Sequence, residues 1–351
     1  MSVKELPIPS HFDPDNAANW SYSPDLARLF YSAQEWRKKY NIPPAGATSF
    51  DLQLLLVDEQ KDFCFPEGTL YVGGRSGRGA IEDSRRTAEF IYRNLGLIKS
   101  ITTTMDTHFA YQIFFHTFWV DSRGQPLAPY REINSKDVES GRVRPNPDMA
   151  WWLSSMGYEW LLDYVLHYTR ELERTGKYTL YIWPPHCIVG SAGHTLVGVI
   201  QEARMFHSFA RTAQSWVELK GDNPLTEHYS VLRPEVTTSH DGIVLAEKNV
   251  ELLDRLLAAD AVAIAGQAAS HCVKNTLEDL LSEMLTRGAS LAGKVYILSD
   301  CMSAVTVPGG RGGFISDFTE EAEEALRRFA AQGMHVVRST EPIESWPGIR
   351  L

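Results

Sequence analysis

The chain has 351 residues, 44% hydrophobic and 22% charged, the proportions of a soluble globular protein with one sizeable core or two small ones. Its formal net charge of −10 argues against nucleic acid or an anionic membrane surface as partner. No apolar run is long enough to span a bilayer, and residues 1–20 lack the apolar stretch of a secretory signal. Four cysteines (Cys64, Cys187, Cys272, Cys301) show no CxxC spacing, which argues against a thiolate zinc site or a disulfide framework and leads us to expect a cytoplasmic protein.

In chain order, residues 1–48 read as an arm rich in Pro and Asn with one candidate helix over 24–40. Apolar runs at 52–58, 99–106, 178–183, 214–220, 261–266 and 294–300 predict strands, and a weaker run spans 334–339. They do not alternate strictly between apolar and polar, as expected of parallel strands covered on both faces. Between them, 84–96, 275–288 and 319–333 carry helical periodicity, the last with acidic residues early and arginines late to suit the helix dipole. Residues 121–177 are a long excursion, loop-like at first and then helical from Met149 to Gly176, with an aromatic density that predicts packing on the core or on a sister subunit. The expected fold is α/β: three layers around a mainly parallel, six-stranded, Rossmann-like sheet. We expect an arm over 1–48 and one domain over 49–351 with an insertion at about 121–177.

Ligands of open α/β sheets bind beyond the carboxyl ends of the strands, so the residues that follow each run matter most. The first run ends at Asp58 and the second at Asp106, with His108 next but one; the third leads to His186. The fourth ends at Lys220, and the fifth in the Gly266–Cys272 turn. Singly, each has an ordinary explanation: a helix cap, a loop histidine, a solvated lysine, a packed thiol. Jointly they describe chemistry. A thiol opening a helix is easier to ionise, Asp58 can take its proton, and Lys220 can favour the thiolate. Backbone N–H groups of the Gln267–Cys272 turn can hold an oxyanion. Asp106, His108 and His186 suit Zn²⁺, and also Fe²⁺ or Mn²⁺, with positions left open.

At these residues the chain resembles the isochorismatase-like cysteine hydrolases and, within them, the nicotinamidase-like amidohydrolases. "VDEQKDF", with Asp58, Gln60, Asp62 and Phe63, is similar to the group's first strand and loop. "MDTH" is similar to its metal-binding D-x-H, "WPPHC" to the segment of its third ligand, and "ELKG" to that of its lysine. "AGQAASHC" resembles its nucleophile turn, with Ser270-His271 where the group usually has Asp-Tyr. The resemblance implies catalytic Asp58, Lys220 and Cys272, and a cis peptide at Gln267–Ala268 with an oxyanion hole of the Ala268 and Cys272 N–H groups. It also implies a pocket touched by Phe63, Gln267 and His271, a divalent metal (most simply zinc) on Asp106, His108 and His186, and a dimer or tetramer. The activity it implies is cleavage of a small amide through a Cys272 thioester. Two other readings stand beside it. One is vinyl-ether hydrolysis on the same fold, which Cys272 opposes. The other is a non-catalytic ligand-binding or scaffold protein, which the arm and the excursion motivate.

Overall fold

In the first strand, β1 (Leu52–Val57), every residue is buried, and parity sorts the side chains. Leu52, Leu54 and Leu56 join one hydrophobic cluster, whereas Leu55 and Val57 join a second on the opposite face. The same division runs through "AVAIAG", where the alanines at 261, 263 and 265 face the first cluster and Val262 and Ile264 face the second. Two covered faces explain why these runs are continuously apolar. The computed structural model describes residues 5–153, 156–176, 178–310 and 312–351.

The central sheet contains β1, β2 (Ile98–Asp106), β3 (Trp216–Lys220), β4 (Ala261–Gly266), β5 (Val295–Leu298) and β6 (His335–Val337). Its order is β6-β5-β4-β1-β2-β3, and all neighbours pair in parallel. One face is covered by α1 (Leu26–Tyr40), α2 (Gly79–Arg93) and, after the helix α3 (Gly157–Thr175) of the excursion, α4 (Gly198–Arg211). The other is covered by α5 (Val250–Ala258), α6 (Cys272–Arg287) and α7 (Thr319–Ala331). This is the three-layer α/β/α architecture expected, and the helices α4 and α5 add to the predicted set. None of the helices is long and apolar enough to cross a membrane among the described residues.

Two expectations need correction. The run 178–183 does not enter the central sheet: Leu180–Ile182 pairs antiparallel with Arg131–Ile133 in a separate two-stranded ribbon. The weaker run supplies the sixth strand instead, with Val336 and Val337 against Ile297 and Leu298. Alternation along "YTLYIW" suits a ribbon with one covered face better than a central strand. The excursion helix also does not run unbroken from 149 to 176, since Ala150–Leu153 and Gly157–Thr175 are separate elements. Leu161, Tyr164, Val165, Tyr168 and Leu172 pack α3 into the core, while Trp151 and Trp152 are 72% and 77% exposed. The arm is tied down by α1, whose Leu29 and Ala33 are buried, and by bonds from Gln34 Nε2 to the Phe209 carbonyl (2.9 Å) and from Arg211 to the Pro43 carbonyl (2.7 Å).

Just past β1, Glu59 is fully buried, and its Oε2 accepts from Ser84 Oγ at 2.9 Å. Burial pushes its pKa up from 4.5 to about 8. The folded chain therefore keeps a proton that the unfolded chain has released, and this group's contribution to stability is lost as pH rises through about 8. Glu59→Gln cannot titrate. Its melting temperature relative to the parent should rise by a few degrees between about pH 5 and about pH 8; thermal melts with an unchanged difference would contradict this.

Candidate active site

The parallel register brings the reactive residues together. Asp106 and Lys220 are direct partners at the ends of β2 and β3, and Val57 is opposite Gly266 at the ends of β1 and β4. Asp58 follows in the left-handed backbone region, with φ of 47°. Lys220 Nζ lies 2.8 Å from Asp58 Oδ2 and 3.6 Å from Cys272 Sγ, bonds Asp106 Oδ1, and donates to the His228 carbonyl at 3.0 Å. Thr104 Oγ1 donates to Asp58 Oδ1 at 2.5 Å. Cys272 Sγ lies within 4.8 Å of carboxylate oxygens of both Asp58 and Asp106. All four are buried.

Burial shapes the electrostatics. It raises the Asp58 pKa against the pull of Lys220, and it raises that of the Cys272 thiol, with the nearby carboxylates adding to the effect. For Lys220, burial favours the neutral amine, but Asp106, Asp58 and Cys272 outweigh it and keep the ammonium charged. For Asp106, the charge of Lys220 overcomes burial and holds the carboxyl well below its usual range. The site thus sets a thiol and a carboxyl group, both disfavoured as anions by burial, against one buried cation that reaches both.

Asp106, His108 and His186 offer ligand atoms within 4.8 Å of one another. His108 comes from the loop after β2, and His186 from the loop after the Leu180–Ile182 ribbon rather than from a central strand. His108 Nδ1 meets the Gly221 carbonyl at 2.8 Å, and His186 Nδ1 meets the Pro184 carbonyl at 2.8 Å. A carbonyl only accepts, so both protons sit on Nδ1 and both Nε2 lone pairs are free. His108 Nε2 is buried without a hydrogen-bond partner, 3.4 Å from Asp106 Oδ2. Burial first, then His108, lowers the His186 pKa to about 4, which keeps it a neutral donor of electrons. One carboxylate and two such imidazoles fit a divalent cation.

Two residues of the first loop hold this set, and sequence reasoning gave neither a role. The Gln60 amide clamps the backbone of Asp106, donating to its carbonyl at 2.8 Å and accepting its N–H at 2.7 Å. Asp62 accepts the Cys187 N–H at 2.7 Å and the Thr69 N–H at 3.1 Å, fixing the residue after His186. A Cβ at Gly193 would lie 2.2 Å from the Asp62 carboxyl, so this turn needs glycine.

The nucleophile turn has a cis peptide at Gln267–Ala268. Gln267 was expected in the pocket and is not there. It is fully buried, and its amide donates to Asp83 Oδ2 at 3.1 Å and accepts from the Ser303 N–H at 3.3 Å. Asp83 also accepts from Ser303 Oγ at 2.6 Å and from Arg86 at 2.8 Å. With these acceptors and donors behind the turn, the amide has no reason to face a ligand. Ala268 and Cys272 do line the pocket.

That pocket encloses about 500 Å³, mouth included, directly over Cys272, Asp106, His108 and His186. Phe63 and His271 line it, joined by Phe114, Trp183, Glu227 and Tyr229. Trp183 Nε1 donates to Tyr229 Oη at 2.9 Å. Glu227 and Tyr229 come from the loop after β3, which α3 backs through Tyr164 Oη on the Leu225 carbonyl (2.5 Å) and Tyr168 Oη on Glu227 (3.2 Å). The "TEHYS" that follows the Lys220 turn was the available signal, a polar cluster adjacent to a candidate lysine.

No family model and no curated protein matches the sequence. Among solved structures the chain is similar to the yeast nicotinamidase bound to the inhibitor nicotinaldehyde, with a TM-score of 0.51 and 18% identity over 82% of this chain and 99% of that one. It is also similar to the Acinetobacter nicotinamidase/pyrazinamidase (17% identity over 84% and 98%, TM-score 0.48) and the Pyrococcus horikoshii pyrazinamidase in complex with zinc (18% over 82% and 98%, TM-score 0.43). At this identity the likeness is one of fold: the chain shares the three-layer α/β/α architecture of the yeast nicotinamidase structure.

Because Asp62 orients the loop of His186 without reaching the ligand set, Asp62→Ala should weaken divalent-metal affinity by about tenfold to a hundredfold. Competition titration of Zn²⁺ against a chromogenic chelator checks it, and parental affinity in a folded variant would refute it.

Proposed function

From an isochorismatase-like fold as premise, we propose that this protein is a metal-containing cysteine amidohydrolase acting on a small, planar carboxamide. The observation that carries the reading is the contact of Lys220 with Asp58, Asp106 and Cys272 on the floor of an aromatic-walled pocket. Packing alone does not call for two buried carboxylates, a buried ammonium and a thiol at one point.

In this mechanism Asp58 accepts the Cys272 proton as sulfur attacks the carboxamide carbon. The Ala268 and Cys272 N–H groups receive the developing oxyanion. Lys220 stabilises the thiolate and keeps Asp58 in its basic form. The C–N bond breaks as Asp58 returns the proton to nitrogen, releasing ammonia or an amine and leaving the acyl group on sulfur. Water adds to the thioester with Asp58 again as base, giving the carboxylic acid and restoring the thiol. Asp106, His108 and His186 would hold a divalent cation, most simply zinc, whose chemistry is Lewis-acid polarisation of bound substrate or water. Phe63, Phe114 and Trp183 would flank the planar group. All four cysteines are free, which supports a reducing, cytoplasmic setting, and exposed Trp151 and Trp152 support a homo-oligomer.

The test is ammonia release across a panel of small aryl and heteroaryl carboxamides, with metal analysis of the same sample. Cys272→Ala should lower turnover by about three orders of magnitude or more with its melting transition retained. Acid quench of the parent should trap an acyl adduct on Cys272. Full activity in Cys272→Ala would sink the reading.

A further inference from the structure

The nucleophile turn carries a polar side chain that the hydrolysis above does not use. His271 immediately precedes Cys272 and lines the same pocket. Its Nδ1 lies 2.8 Å from Ser270 Oγ, and that oxygen already accepts the Val305 N–H at 3.0 Å. The serine hydroxyl has one hydrogen, and Nδ1 is the acceptor within its reach among the described residues, so we assign that hydrogen to the bond with Nδ1. Nδ1 is then the acceptor, and the proton of the neutral ring sits on Nε2. Burial, with Lys274 adding to it, lowers the ring's pKa to about 3, so the imidazole is uncharged.

The ring is held from three sides. Its centroid lies 5.3 Å from Trp183, 5.4 Å from Tyr229 and 4.8 Å from Phe318, at interplanar angles of 81°, 60° and 83°. The polar groups of this cage are spent on one another, since Trp183 Nε1 donates to Tyr229 Oη. Within this cage the ring's Nε2 has no protein partner among the described residues, on a ring only partly buried next in sequence to Cys272. An oriented donor in an apolar wall favours a ligand that supplies the matching acceptor, because otherwise that N–H loses its partner on binding.

We propose that His271 is a specificity-determining residue that donates its Nε2 hydrogen to the non-reacting part of the substrate, so that the preferred substrates are planar carboxamides bearing a second hydrogen-bond acceptor. The assignment rests on the amidase reading only for the identity of the scissile group; the donor itself is a property of the pocket.

The experiment uses isosteric pairs: 3- and 4-acetylbenzamide against the corresponding isopropenylbenzamides, which differ in a carbonyl oxygen for a methylene. The parent should prefer at least one acetyl compound by about tenfold in kcat/KM, mostly through KM. His271→Phe, which keeps a ring in the cage, should abolish that preference ratio, and His271→Gln, which restores a donor, should recover part of it. The same pairs are titrated calorimetrically against chains carrying Cys272→Ala, with and without His271→Phe, so that recognition is read without turnover. Hydrolysis of none of the compounds, with the acetyl preference intact in binding, would overturn the amidase reading and leave the His271 assignment standing. A parent that treats both members of each pair alike in both measurements, or a preference that survives His271→Phe, would overturn the assignment. If His271→Phe fails to fold, the parent's own ratio decides.

Discussion

Everything in this site is arranged around one buried ammonium. Lys220 touches the candidate base, a carboxylate of the candidate metal site and the candidate nucleophile at once. Two carboxylates and a thiol removed from water would each favour the neutral form, and a lone cation in the same place would too. Their mutual attraction is what permits any of them to be charged, and the balance falls differently on each. Asp106 is held ionised, whereas burial raises the pKa of both Asp58 and Cys272 against the pull of Lys220. Removing one partner would leave the others unbalanced in a low-dielectric environment, which is far costlier than losing an exposed pair.

Such a cluster needs a stiff frame, and the frame here is largely side chain to backbone. Gln60 grips both backbone groups of Asp106, Asp62 accepts from the residue after His186, and Asp83 holds the amide of Gln267 behind the nucleophile turn. Each contact fixes the position of the chain rather than of one flexible side chain. The candidate groups are thereby held on strand ends and short turns positioned by the parallel sheet, the kind of geometry that keeps orientation costs low in the proposed reaction.

The excursion contributes at one remove. Its helix α3 buries one face and uses Tyr164 and Tyr168 to back the loop that carries Glu227 and Tyr229, and its ribbon leads into the Trp183 and His186 segment. It therefore shapes the wall of the pocket, while the strand ends supply the floor. In the proposed function this division would leave the reaction to the sheet and the choice of substrate to the insertion.

The strands at 52, 261 and 294 were legible because burial on both faces leaves a continuous apolar signature, and those at 99 and 214 because β-branched and aromatic residues mark them, even though the edge strand leaves Trp216, Val217 and Leu219 exposed. Asp58, Asp106 and Lys220 were legible as candidates because each closes such a run, and His108 and Cys272 because they stand in the turns that follow one. The ribbon at 180–182 and the strand at 335–337 exchanged places because runs of similar length and hydropathy say nothing about which neighbour they pair with; that is decided by long-range backbone bonding. Gln267 and His271 are five residues or fewer from the same cysteine, yet one turns inward to Asp83 and the other lines the pocket. The chain's own chemistry determined which groups were available and where along the sequence they stood. Only the tertiary structure decided which way each side chain faced and what completed its hydrogen bonds, because those partners, from Asp83 to Val305, come from segments remote in the chain.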